Sequence, residues 1–234
     1  MSTSTRVTRW AEIIERAIED VGAVRLDLGT MLAIVATESS GDAKVVNKYG
    51  FVGLFQIGTP YLKDARAWLK RHRPEMLKEV PRTKRGLIGK ARASAIVTAA
   101  YMRKYEARHE WDPDRIAAIH KGGAGSAARL KRLMAEGKGK REAIRWIADH
   151  WRYSKGRRKG QLILGSSFYD YVFSARHFAG HHADYQEWAQ GWRSTRAQAE
   201  EEAPLEAEPT TPRDIWTRYL SSVWRELTNG GKPK

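Results

Sequence analysis

Cysteine is absent from this 234-residue chain. That excludes disulfides, thiolate metal centres and a cysteine nucleophile. Long apolar runs are missing too, since nothing approaches the ~18 consecutive residues that a membrane-spanning helix requires. The opening, MSTSTRVTRWAEII, has no apolar h-region, so neither a signal peptide nor a transmembrane segment is expected. No internal repeat is visible, which argues against a solenoid or an array.

Acidic residues are the scarce charge, 27 against 42 Lys and Arg, for a net charge of +15. The excess is uneven. Residues 1–198 hold 37 basic and 20 acidic residues, whereas 199–234 hold five and seven. Such a field attracts polyanions of any kind, nucleic acid and bacterial envelope polymers alike, and does not choose between them. Hydrophobic residues make up 41% of the chain and nine are Trp, enough for a globular core.

The stretch LDLGTMLAIVATESSGDAKVVNKYGFVGLFQI, residues 26–57, organises the rest. Met31 to Ala36 are apolar on every side, the pattern of a fully buried helix. Asp27 suits its N-cap, and Ser39-Ser40-Gly41 its end. Glu38 then falls in the last turn, where the helix dipole and apolar surroundings both oppose ionisation. A carboxyl so placed suits a general acid, although a Glu that simply leaves the helix into solvent fits the same residues. Between Lys44 and Gln56, β-branched residues and glycines predict a small hairpin or irregular β excursion.

Elsewhere helices dominate. Val7, Trp10, Ile13, Ile14, Ala17, Ile18 and Val21 predict a first amphipathic helix of about 15 residues. Thr59-Pro60 predicts a helix start with a hydroxyl cap, running to about His72. Residues 73–86 are expected to be loop. A helix over 87–109 follows, then one capped by Asp112-Pro113 and ending at Gly122-Gly123. Helices are expected over 124–135, 140–153 and within GSSFYDYVFSARHF, with a basic loop at Ser154–Gly160. His177, His181 and His182 lack an acidic partner at ligand spacing, so no metal is expected there. From Arg193 the composition turns to Glu and Pro, marking a linker over 193–212. Residues 213–234 then carry an amphipathic helix, which could fold back, dock on a partner such as a phage tail or virion protein, or lie on a membrane surface.

Gln56 stands 18 residues after Glu38, and this spacing carries a resemblance. Glu38-Ser39 followed by Gly53-Leu54-Phe55-Gln56-Ile57 resembles the first two motifs of the soluble lytic transglycosylases, phage-encoded members included. Tyr101-Met102 and Ala117–Gly122 resemble the third, with Ile119 in place of the family's Tyr and His120 in place of its Asn. Tyr171-Val172 corresponds to the late Tyr-Val, although Ser166-Ser167 replaces the usual Glu-Thr; Tyr153 and Tyr169 are competitors for its role.

The resemblance implies a predominantly α-helical, α+β, lysozyme-like domain over residues 1–192 that acts on the glycan of bacterial peptidoglycan. It implies Glu38 as catalytic acid and base, with Ser39, Gly53, Gln56, Ile119, His120 and Tyr171 as substrate contacts. The family's reaction closes a 1,6-anhydro ring on the muramic sugar, needs no second carboxylate and uses no cofactor. A water-using muramidase is the alternative on the same fold; of the nearby carboxylates Asp42, Asp64 and Glu75, none sits at a place the family uses for chemistry, and Asp42 reads as a turn residue. A phage setting, either the virion or the host cytoplasm before release to the wall, follows from the resemblance together with the missing leader. The rival readings are a basic nucleic-acid-binding protein and an inactive structural scaffold of the virion.

Overall fold

The computed structural model describes residues 3–106, 112–152, 160–162, 165–174 and 176–202. Tyr153, most of the basic loop Ser154–Gly160 and the predicted C-terminal helix lie outside the described residues. The chain divides into two compact units, residues 1–191 and 192–234. In the second, the described residues 192–202 are helical, with the Arg196 guanidinium 5.7 Å from the centre of the Trp192 ring.

The first unit is predominantly helical. Two helices, α1 (Thr3–Thr8) and α2 (Ala11–Val21), replace the single N-terminal helix expected. The chain breaks at Arg9 and Trp10, and both side chains donate to the Gly41 carbonyl, at 3.2 and 3.0 Å. The long-range bonds account for a break that periodicity alone does not reveal. The buried helix is α3 (Leu28–Ser39), whose residues Leu28 to Ala36 are all shielded from solvent. Each large aliphatic side chain there contributes about 1.5–3 kcal/mol by leaving water. Asp27 caps it as expected: its carboxylate accepts from the Thr30 backbone N–H at 2.8 Å and from the Thr30 hydroxyl at 2.6 Å. The helix exits through Ser40 and Gly41, both at positive φ.

Helix α4 (Thr59–His72) is capped by Gly58 rather than by the Thr59 hydroxyl. The expected loop after it contains two short 3-10 turns, Pro74–Lys78 and Lys84–Leu87. Helix α5 (Ala91–Glu106) starts four residues later than expected and packs against α2 and α4. Helix α6 (Pro113–Ala135) begins at its Asp112 cap, where the carboxylate accepts from Arg115 N–H at 3.0 Å. It breaks at Gly123, whose φ of +69° no other residue type adopts as readily. The Ser126 hydroxyl bridges that break by reaching the Ala118 and Gly123 carbonyls at 3.0 and 2.8 Å. Helices α7 (Lys140–His150) and α8 (Ser166–Phe173) pack on α6 and on each other.

A last helix, α9 (Phe178–Glu202), extends ten residues into the stretch assigned to the linker. Its charged residues do not prevent helix formation, because Glu, Gln, Arg and Ala are all good helix formers. Within the first unit, α9 reaches α3 where Gly29 leaves room for Gln186, and His182 Nε2 lies 3.3 Å from the Thr30 hydroxyl.

Of the two forms expected for the β excursion, the irregular one is found. Among the described residues it amounts to isolated bridges, Val46 with Val52 and Val52 with Ile57, with one more between Arg152 and Leu162. No helix among them is long and apolar enough to cross a membrane.

Candidate functional site

Several parts of the first unit meet at one cleft: the end of α3, the turn that follows it, α4, α5, the broken middle of α6 and the start of α8. The cleft encloses about 620 Å³ and is lined by Glu38, Gln56, Tyr61, Tyr101, His120 and Lys121 among others. That volume lies within the range of small-molecule and sugar-sized sites.

Glu38 occupies the last turn of α3, with 11% of its side chain exposed. Burial raises its pKa above the ordinary carboxyl value. The Lys121 ammonium, 3.8 Å from Oε1, opposes that rise, and Tyr171 and His177 oppose it more weakly. His120 Nε2 is equally close, at 3.7 Å, but the contact is no ion pair near neutral pH. Burial and then the Lys121 charge push the His120 pKa down to about 3, against a hydrogen bond to the Phe55 backbone that favours the cation. A neutral imidazole therefore stands beside Glu38, with Nδ1 3.3 Å from the Tyr61 hydroxyl.

Ser39 does not line the cleft. Its hydroxyl contacts the Leu54 carbonyl at 2.8 Å and the Val35 carbonyl at 3.1 Å, tying the turn to the end of α3. Leu54, Phe55 and Ile57 pack into the core beneath, leaving Gln56 to face the cavity. Gln56 holds the left-handed conformation at φ +48°, uncommon for a residue with a side chain. Its amide NH₂ donates to the Gly53 and Val45 carbonyls at 3.0 and 3.3 Å, so the amide oxygen is its remaining polar atom.

Gly53 and Ile119, both expected as contacts, lie outside the cleft lining. Gly53 permits the turn at φ +72°, and a Cβ there would sit 3.4 Å from the Leu87 carbonyl. Ile119 is wholly buried in α6. Tyr171, expected as a substrate contact, also lies outside the cleft lining but stands close to Glu38: the carboxylate raises the Tyr171 pKa, whereas Tyr171 lowers that of Glu38. Its buried hydroxyl has no partner at normal hydrogen-bond geometry. Tyr169 lies instead under the Arg145 guanidinium, 4.0 Å from the ring centre.

No protein-family model matches this chain, and no curated protein matches it either.

Several lining residues were not singled out for the site by sequence. Lys121 follows His120 directly within the Ala117–Gly122 motif, but the resemblance assigns it no role. Tyr61 stacks on Tyr101 with ring centres 3.6 Å apart, forming one wall. Tyr49 and Phe51 stand on the turn at the mouth, 73% and 41% exposed. Exposed aromatics flanking glycines were the one available signal for these two. Asp64 is a second carboxylate on the lining, paired with Lys104 at 3.2 Å. Chemically, a carboxyl held toward its neutral form beside a fixed cation can give up a proton and take it back.

Proposed function

We propose that this chain is a peptidoglycan lytic transglycosylase with a lysozyme-like domain, in which Glu38 is the acid and base. The observation that carries the reading is the Glu38 carboxyl itself: nearly enclosed, biased toward its protonated form, and facing a cleft that it shares with Gln56. Such a group donates a proton at a pH where an ordinary carboxyl is already ionised. The motif spacing from Glu38-Ser39 to Gln56 supports the same reading.

In the proposed reaction Glu38 protonates the glycosidic oxygen that leaves the muramic sugar, and an oxocarbenium-like centre develops at C1. The carboxylate then accepts the C6 hydroxyl proton, and O6 bonds to C1. Water is not consumed. Aromatic side chains suit the apolar faces of sugar rings, and the wall formed by Tyr61 and Tyr101, with Tyr49 and Phe51 at the mouth, supplies them. Phage origin and access to the wall during infection complete the proposal.

Asp64 favours a second reading. A carboxylate on the same lining could activate water and make the enzyme a muramidase. Digestion of purified wall separates the two. The transglycosylase releases anhydromuropeptides, lacks activity as Glu38→Gln and retains it as Asp64→Asn. Reducing muramic ends, together with loss of activity in Asp64→Asn, would assign hydrolysis. Wall clearing by Glu38→Gln in a zymogram would remove Glu38 from either mechanism.

A further inference from the structure

We propose that Lys121 is the positioning residue for Glu38: its ammonium, held over the Tyr171 ring, offsets the negative charge left on the carboxyl after proton donation. The inference rests on the reaction proposed above and gives a role to a residue that the resemblance leaves without one.

The geometry comes from the break in α6. Lys121 lies in the last turn before Gly123, and its side chain lines the same cleft as Glu38. Its Nζ is 3.8 Å from Glu38 Oε1 and 4.7 Å from the centre of the Tyr171 ring. The ring face holds the cation in place while leaving its N–H groups for the carboxylate and the cleft. With 38% of its side chain exposed, Lys121 retains water on one side, so its own desolvation is incomplete.

The other groups facing Glu38 do not substitute for it. His120 on α6 is neutral near pH 7. Tyr171 on α8 and Tyr61 on α4 are phenols that burial keeps protonated. His177, between α8 and α9, contributes the weakest of the fields that act on Glu38.

The two half-reactions need opposite charge states. In the first, Glu38 transfers its proton to the glycosidic oxygen, which keeps the bonding pair as the C1–O bond breaks. In the second, the carboxylate so formed takes the C6 hydroxyl proton as O6 bonds to C1, restoring Glu38. A buried carboxyl alone performs the first step readily and then pays heavily for the anion. An adjacent ammonium lowers the cost of the anion while burial still favours the acid in the free enzyme.

The test compares the full-length parent with Lys121→Met and Lys121→Arg, each checked for folding by circular dichroism. Carbon-13-labelled Glu, with Glu38→Gln to assign the resonance, reports the Glu38 titration without any substrate. In Lys121→Met the midpoint rises by about one to three pH units, and in Lys121→Arg it stays near the parent. The alkaline limb of the kcat/KM profile on purified wall moves upward with it. An unmoved midpoint in Lys121→Met, or Lys121→Arg behaving like Met, overturns the inference. A shifted midpoint in a parent that never cleaves wall would keep the charge coupling and discard the reaction.

Discussion

At the scale of single residues, the role proposed for Glu38 opposes stability. Burial raises the Glu38 pKa, so the folded chain holds its proton more tightly than the unfolded chain does. The folded state is therefore penalised as pH rises from the ordinary carboxyl range through the raised pKa, and the penalty is absent below that range. Glu38→Gln removes the charge at nearly constant shape. Its Tm is expected to exceed the parent's at pH 7.5, with the gap closing by pH 4 in calorimetry. Each kcal/mol of the penalty moves Tm by about 2–4 °C in a protein of this size. His120 acts in the other direction: with a folded pKa of about 3, it costs stability as pH falls below 6.5. Both proteins carry His120, so the comparison is made between them at each pH.

At the scale of elements, α3 and the following turn function as one unit, and the link between them is a hydroxyl. The contact of Ser39 with the Leu54 carbonyl ties the turn that carries Gln56 to the end of the helix that carries Glu38. Ser39→Ala leaves that carbonyl without its partner, at an expected cost of about 1–3 kcal/mol in urea unfolding. Turnover of wall should fall further than stability does, because the turn carries one side of the cleft. Much of this was legible beforehand. The apolar run, the Asp27 cap and the Ser-Gly exit fix α3 from local chemistry alone, and Glu38 follows from its position at the end. The role of Ser39 was not legible, because its partner lies 15 residues away and the choice between glycan and backbone depends on where the turn folds. Ile119 and Gly53 illustrate the same limit: a motif position says that a residue matters, and packing decides whether it touches the cavity. Lys121 escaped because nothing in a run of Ile-His-Lys-Gly-Gly distinguishes a cation aimed at a carboxylate from one in solvent. Helix α9 was underestimated because its Glu-rich end has the composition of a linker yet good helix propensity.

At the scale of the whole molecule, charge is the dominant property, and part of it is already engaged. The Arg129 guanidinium lies 5.7 Å from the Trp146 ring centre and 5.4 Å from that of Trp151, and Arg141 lies 4.9 Å from Phe173. Trp146 and Trp151 thus share one arginine, Arg129, between α6 and α7. The remaining excess is long-ranged and screened by salt. Sedimentation with purified, anionic wall should show bound protein decreasing as salt rises from about 0.01 to 1 M, where the screening length falls from ~30 to ~3 Å. Binding that is indifferent to salt would mean that the cleft alone holds the polymer.

The turn over residues 44–57 is closed by scattered bridges and side chains instead of a ladder. Asn47 alone gathers the backbone N–H groups of Tyr49 and Phe51, at 2.9 and 3.1 Å. A loop fastened this way behaves as an exchangeable fitting: its aromatic tips can be swapped, lengthened or recoded while the helices beneath keep their register. Under the proposed function, a library confined to positions 48–51 is expected to alter glycan preference more than the proton chemistry of Glu38.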